Sequence, residues 1–377
     1  MIRELRKNKL VKISFDLRIT VISLLLMMVL TTWGTLYQKG FGLYAAQERF
    51  FFSWWVWIGD VFPIPGGQTL MWVLFINLSG SAIFRYGFRW NQAGILLIHY
   101  GLMFLFVGSF ITYYYAIESN LALEEGESSN VASHYHEWEV AVWPKTDGDT
   151  RDVSAHSVRE NLKGQTLDFS QAGISVVVDE YFGNCDNTET GELSGGDRKN
   201  GREGAFKALT KMKPDTEPER NLPGGMFDVN GEKLLLYGAI NAAVEVEVGD
   251  KTYELQLRRR RIPLPFVVTL KDFVKEEHAG TTMAKNYEST VHLSYEIERD
   301  VRIFMNNPLR YGTFTFYQSS FSQTQAGGEI SVFAVVDNSG RLIPYISSGI
   351  IFGGLLIHFI VMFVQRATPR IRRRLEA

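Results

Sequence analysis

Ala93–Tyr115, AGILLIHYGLMFLFVGSFITYYY, decides how this chain is read. The stretch holds 23 residues without a formal charge. As a helix rising ~1.5 Å per residue it is long enough to cross a hydrocarbon core of ~30 Å. One imidazole, His99, sits near its first-entered end. A charged side chain at the centre of a membrane helix costs roughly 2.5–3.5 kcal/mol to insert. A neutral histidine costs less, but both ring nitrogens still need partners.

Three further apolar runs surround it: Ile19 to Leu36, Thr69 to Phe84 with Asn77 inside it, and Ile343 to Val364. Mean hydropathy is near zero, which hides a split between these ends and a polar middle. The pattern is a membrane protein of four transmembrane α-helices, three N-terminal and one C-terminal, with a large inserted all-β domain. The expected divisions are 1–116, 117–342 and 343–377. The 39 Lys and Arg nearly balance 41 Asp and Glu, so no bulk attraction to nucleic acid is expected. A single cysteine, Cys185, excludes an internal disulfide, a CxxC pair and a cysteine-based zinc site.

Four spans put both termini on one side. Arg3, Arg6, Lys7, Lys9 and Lys12, the link Arg85 to Arg89, and Arg366, Arg370 and Arg372 to Arg374 all fall on that side. The positive-inside rule makes it the cytoplasm, so the expectation is an inner-membrane protein with its insert extracytoplasmic, or periplasmic. The first run continues into TTWGTLYQ without a small-residue cleavage site, so it is expected to stay as an anchor. Tyr37 to Gln68 is crowded with aromatics, which favours an anchor at the membrane surface over a lid facing a cofactor.

Within the insert, Trp138 to Trp143, Ile174 to Tyr181, Ala242 to Val248, Tyr253 to Leu257, Thr290 to Ile297 and Ile330 to Val336 alternate with period two. These read as half-buried strands. Asn184 to Asn230 is rich in Gly, Lys, Asp and Glu, and reads as a mobile excursion outside the core.

Of seven histidines only His99 and His358 lie in spans. Each stands six or seven residues, ~9–10 Å, from the cytoplasmic end of its helix. Two imidazoles at matching depth in antiparallel helices can ligate one metal-centred cofactor from opposite faces, and iron porphyrin is the obvious candidate. Gly94, Gly101 and Gly108 on one helix, and Gly349, Gly353 and Gly354 on the other, leave room for a flat ring or for close helix contact. His134 and His136 form an HxH pair with no third ligand at suggestive spacing, which favours a surface loop. His156, His278 and His292 stand alone and read as structural or solvated. Arg258 to Arg261 reads first as a solvated face, with lipid phosphates, haem propionates or an acidic partner as alternatives. No Ser-His-Asp set, Walker loop or GxGxxG after a strand is present.

The arrangement resembles the ResB family of cytochrome c biogenesis proteins (system II, ResB/CcsB-like). The phrases that carry the resemblance are Thr35-Leu-Tyr-Gln38, Leu97-Ile-His-Tyr-Gly101 with Gly108, Glu124-Glu-Gly126, Pro265-Phe, Leu270-Lys-Asp-Phe273, Asn307-Pro-Leu-Arg310, Gly312 and Phe316-Tyr-Gln-Ser319. The resemblance implies a subunit, not catalytic alone, of a haem-lyase complex with a CcsA/ResC-type membrane partner. Such a complex carries haem b across the membrane and attaches it to CxxCH motifs of apocytochromes c. It implies a haem-ligand role for His99 only; His358 as second ligand rests on depth matching. The partner is expected to supply the opposing histidine and a tryptophan-rich loop. Trp54-Trp55 lacks the Gly and Asp neighbours of that loop, so the partner is expected to be a separate polypeptide. Two rival readings are a b-type membrane electron carrier, which needs four span histidines for two haems, and a scaffold that binds no haem.

Overall fold

The computed structural model describes residues 15–59, 61–85, 89–146, 151–188, 191–194, 208–278, 280, 284–295, 298–323 and 327–375. The basic N-terminal stretch lies outside these, as do the side chains of the arginines beyond residue 366. The chain forms two compact units, Met1–Ala116 with Asn338–Ala377, and Ile117–Asp337.

The first unit is helical. Among the described residues four segments are long and apolar enough to cross a membrane: Leu17–Phe41, Gly67–Phe84, Trp90–Tyr115 and Ile343–Arg366. Helix α1 (Leu17–Phe41) starts at Asp16, whose carboxylate accepts the Arg18 N–H at 2.9 Å and so caps an orphan donor. A turn of α-helix (Leu43–Ala46), a π-helical turn (Gln47–Phe51) and the hairpin β1 (Trp55–Ile58) and β2 (Phe62–Pro65) lead to α2 (Gly67–Gly80). Asn77 explains itself here. It is 3% exposed, takes a hydrogen bond from Thr20 Oγ1 at 2.7 Å and donates to the Asp16 carbonyl at 3.2 Å. A side-chain amide between two apolar helices fixes their register, because hydrocarbon offers it no other partner. A second π-helical turn (Ser81–Arg85) ends α2, and α3 (Ala93–Tyr115) and α4 (Ile343–Leu375) complete the unit.

The second unit is all-β. Its strands are β3 (Ile117–Glu124), β4 (Ser128–Pro144), β5 (Ser154–Val158), β6 (Thr166–Phe169), β7 (Ile174–Phe182), β8 (Cys185–Thr188), β9 (Leu193–Ser194), β10 (Ala208–Lys211), β11 (Gly224–Val229), β12 (Glu232–Tyr237), β13 (Val244–Val248), β14 (Lys251–Glu277), β15 (Ala284–Ser294), β16 (Arg299–Phe304), β17 (Leu309–Tyr311), β18 (Phe314–Gln323) and β19 (Glu329–Asp337). Strand β14 runs 27 residues and serves two cores. Its first half, with β4, β5 and β13, closes over the sheet β12-β11-β7-β6 around Trp138, Val176, Phe227 and Leu255. Its second half pairs with β15 and joins β16 to β19 around Leu123, Phe266, Phe316 and Phe333. Its second half alternates buried and more exposed residues, as a strand with one wet face must, whereas residues 255–257 of the first half are all buried.

The Glu124-Glu-Gly126 and Leu270-Lys-Asp-Phe273 phrases, distant in sequence, are one structural feature. Glu125 accepts the Phe273 N–H at 2.8 Å, and the Gly126 N–H donates to the Leu270 carbonyl at 2.8 Å. Gly126 takes φ +83°, a conformation that an L side chain resists.

The excursion expected over Asn184 to Asn230 is corrected in its described parts. Strands β8 and β10 pair, β11 is an inner strand between β7 and β12, and Cys185, Leu209 and Leu235 are buried in a common cluster with Phe182 and Tyr237. Few apolar residues suffice because they fall on the inward positions of short strands. Asn184 ties both ends, accepting from the Leu222 N–H at 3.2 Å and donating to the Lys213 carbonyl at 2.8 Å. Burial pushes the Cys185 thiol up to about 12, so the only thiol of the chain stays protonated at neutral pH.

Candidate functional site

Helix α3 presents two opposed stripes. Gly94, Gly101 and Gly108, a heptad apart, touch α4. A Cβ added to Gly94 would stand 2.4 Å from the His358 backbone nitrogen, and one added to Gly354 would stand 2.9 Å from the Gly94 carbonyl oxygen. Cβ atoms at Gly101 and Gly108 would meet Ile351 and Ile343 at 2.7 and 2.4 Å. The helices therefore meet backbone to backbone, the mode that small residues permit in membranes. Gly349 and Gly353 face open space and take no part.

The other stripe faces α2. Phe110 stacks on Trp72 at 4.3 Å between centroids, Phe106 lies 6.0 Å from Phe75, and Gln68 donates to the Tyr113 hydroxyl at 2.6 Å. His99 belongs to this stripe. At ~100° per residue it lies about 20° around α3 from Phe106 and about 140° from Gly94. Helices α2 and α3 run antiparallel, so continuing the pairs Gln68–Tyr113, Trp72–Phe110 and Phe75–Phe106 brings His99 level with the end of α2. There the helix widens into the π-helical turn Ser81–Arg85, which touches α3. Such turns recur at functional sites, because they re-aim side chains within a helix.

His99 is half-buried, and its Nδ1 lies 2.8 Å from the Ile95 carbonyl oxygen. A carbonyl only accepts, so Nδ1 carries the proton, and in the neutral ring the lone pair is then on Nε2. This is the tautomer and the outer-shell bond that metal-ligating histidines use. One turn away along α2, Ser79 Oγ is buried without a hydrogen-bond partner among the described residues. His358 is half-buried on the stripe of α4 that touches α3. The two helices meet with His358 at the contact, whereas His99 lies about 140° around α3 from it. The Gly94–His358 contact leaves no gap as wide as a porphyrin between the helices at that level.

The remaining sequence candidates are structural. His134 to Glu137 form a bulge in β4: the register passes from Arg259↔Trp138 to Arg261↔Ser133, so four residues of β4 oppose one of β14. His134 Nδ1 accepts the N–H groups of His136 and Glu137, each at 3.1 Å, and holds the bulge. Among the described residues no group of three His, Cys, Asp or Glu is placed to hold a metal. His156 meets the Asp168 carbonyl at 3.0 Å, and His292 meets Asp300 at 2.7 Å.

The arginine run is not a solvated face. It lies where β14 passes from one core to the other. Arg258 donates to Glu139 at 2.9 Å, with side chains only 10% and 8% exposed, and stacks on Trp143. Arg259 lies over Trp138 and donates to the carbonyls of Tyr135 and Glu219, and Arg260 donates to Glu137. Arg261 is the exposed member.

The bulge makes stability pH-dependent. Burial, then the nearby Arg260, His136 and Arg259 charges, hold the His134 imidazole below its ordinary range, against the pull of Glu137. Burial also lowers His136. The folded state resists protons that the unfolded chain accepts near pH ~6.5. The contribution of these two imidazoles to stability is therefore constant above that value and falls as pH drops through it towards the folded pKa. Thermal unfolding of the purified protein in detergent should show a midpoint that falls between pH 7 and pH 5. In His134→Asn, which keeps an acceptor but does not titrate, the slope should be shallower. An equal slope would remove His134 from this account.

The ResB-like family model matches residues 222–361, from the loop before β11 into the middle of α4. Protein NrfI of Wolinella succinogenes is 31% identical over 110 residues, a match covering 28% of this chain and 12% of that protein. The chain thus matches about an eighth of the length of that relative.

Proposed function

Since residues 222–361 match the ResB-like family model, we propose that the chain serves cytochrome c biogenesis by holding haem in the membrane through His99. The observation that carries this reading is the setting of His99: a half-buried imidazole, Nδ1 committed to the Ile95 carbonyl, beside a π-helical turn. Haem is cargo here rather than a resident cofactor. Its iron accepts an axial imidazole nitrogen, and Nε2 is the nitrogen with the lone pair. The Ile95 carbonyl fixes the ring orientation. Phe75, Phe106 and Phe110 give the stripe an apolar wall that excludes water, and Ser79 Oγ adds one polar atom.

The second axial nitrogen comes from a CcsA/ResC-type partner in this proposal. His358 stands on the α3–α4 contact, where Gly94 leaves no ring-wide space. Two imidazoles fill both axial positions and limit reaction of the iron with oxygen. Joining vinyl groups to the thiols of a CxxCH apocytochrome then needs chiefly positioning, a proximity effect. The β unit is the surface for the apocytochrome or for the partner's loop, on the extracytoplasmic side of the inner membrane.

His99→Ala should stop cytochrome c maturation in cells that depend on this chain, and added imidazole should restore part of it by filling the vacated position. His358→Ala should leave maturation near wild type. Normal maturation in His99→Ala, or equal loss in both variants, would contradict the assignment.

A further inference from the structure

The hairpin of β1 and β2 joins α1 to α2 and has two unlike faces. Val56 is 1% exposed and, with Ile64 opposite it, packs on Leu30, Phe50 and Leu70. The other face shows Trp55 and Trp57, and the turn end shows Val61 and Phe62, at 54%, 50%, 65% and 69% exposure. So many large apolar side chains on one small element mark an interaction surface. A lone two-stranded hairpin is marginal in water, so the inward face is what holds it.

Depth is fixed by the packing. Leu30 lies 11 residues before Phe41, the end of α1, which is ~16 Å along the helix. A hairpin packed there runs beside the membrane-spanning part of α1, not beyond it. Helix α2 begins two residues after β2, and its helical segment of 18 residues rises only ~27 Å, just short of a ~30 Å core. Helix α1 likewise exposes large apolar side chains, Leu24, Leu25 and Met28 among them.

The backbone of the β2 edge fits an environment poor in water. In an antiparallel pair, alternate residues aim their N–H away from the partner strand. The Gly66 N–H donates to the Trp54 carbonyl at 2.8 Å, which makes Trp55↔Pro65 and Trp57↔Pro63 the outward-aiming pairs. The outward positions of β2 are therefore both proline, and neither has an N–H. Such an edge cannot take another strand and has no donor there that needs water.

We propose that this hairpin is a lipid-embedded wedge, with Trp55 and Trp57 at the headgroup–acyl boundary of the leaflet in which α1 ends. Tryptophan suits that layer through its apolar ring and polar N–H. The inference is independent of haem binding.

The test uses the full chain in phosphatidylcholine–phosphatidylglycerol vesicles, with a nitroxide at Trp57→Cys and, separately, at Phe62→Cys. Cys185 is buried and should not take the label, and Met212→Cys, 47% exposed on the β unit, is the aqueous reference. Collisions with oxygen should exceed those with a water-soluble nickel chelate at both hairpin positions, and the order should reverse at position 212. Nickel collisions at 57 and 62 equal to those at 212 would place the hairpin in water and overturn the proposal. Low collision with both reagents would mean that protein covers the face, and would overturn it equally. Using two positions guards against one variant that fails to fold.

Discussion

Glu139→Ala should destabilise the β unit by about 3–5 kcal/mol, the cost of leaving a buried cation without its partner. Arg258 is 10% exposed, and its Nε donates to Glu139 at 2.9 Å. Its guanidinium also lies 5.1 Å from the Trp143 ring centroid, so it has no ready path to water. The pair itself is not expected to be strongly stabilising, because desolvating both charges offsets their attraction. Replacing both residues, Glu139→Met with Arg258→Met, should therefore recover most of the loss. Pulse proteolysis in urea measures this on the intact protein. A single-variant loss under ~1 kcal/mol, or a double variant no better than Glu139→Ala, would remove the pair from the joint of the two cores.

Gly94→Leu should separate α3 from α4. A Cβ at Gly94 would meet the His358 nitrogen at 2.4 Å and the Gly354 oxygen at 2.7 Å, and backbone cannot move aside as a side chain can. Even Gly94→Ala should cost at the upper end of the ~1–3 kcal/mol typical of overpacking. Gly349→Ala, with nothing within 4 Å, is the matched control. Thermal unfolding in detergent should show a large fall for Gly94→Leu, a clear fall for Gly94→Ala, and none for Gly349→Ala. Equal midpoints for the two alanine variants would mean that the helices do not meet at Gly94.

The spans were legible because a long uncharged run has few fates, and the structure extends them by two to seven residues. Strands with clean alternation, such as Ile174–Phe182 and Glu329–Asp337, were legible for the same reason. The continuity of β14 was not. Four consecutive arginines break the period-two pattern, and their neutralisers, Glu137 and Glu139, lie on β4 more than 100 residues earlier. Strands β8 to β11 were missed because their few inward apolar residues, Cys185 and Leu209 among them, are diluted by turn formers. His99 was visible as an imidazole in an apolar run, but its direction was not. Matching depth said nothing of azimuth, and only the glycine stripe against α4 places His99 about 140° away from that contact. The HxH pair was expected on a surface loop, whereas it lies in a bulge of β4 that turns His134 back on its own backbone.

The most direct test of the central claim is the absorption spectrum of the membrane complex, purified with its partner from cells making either wild type or His99→Ala. The account predicts sharp α and β bands of low-spin, bis-imidazole haem in the reduced wild-type complex. Those bands should be absent from His99→Ala and should return with added imidazole, while His358→Ala keeps the wild-type spectrum. A His99→Ala complex with the full low-spin spectrum would contradict the account.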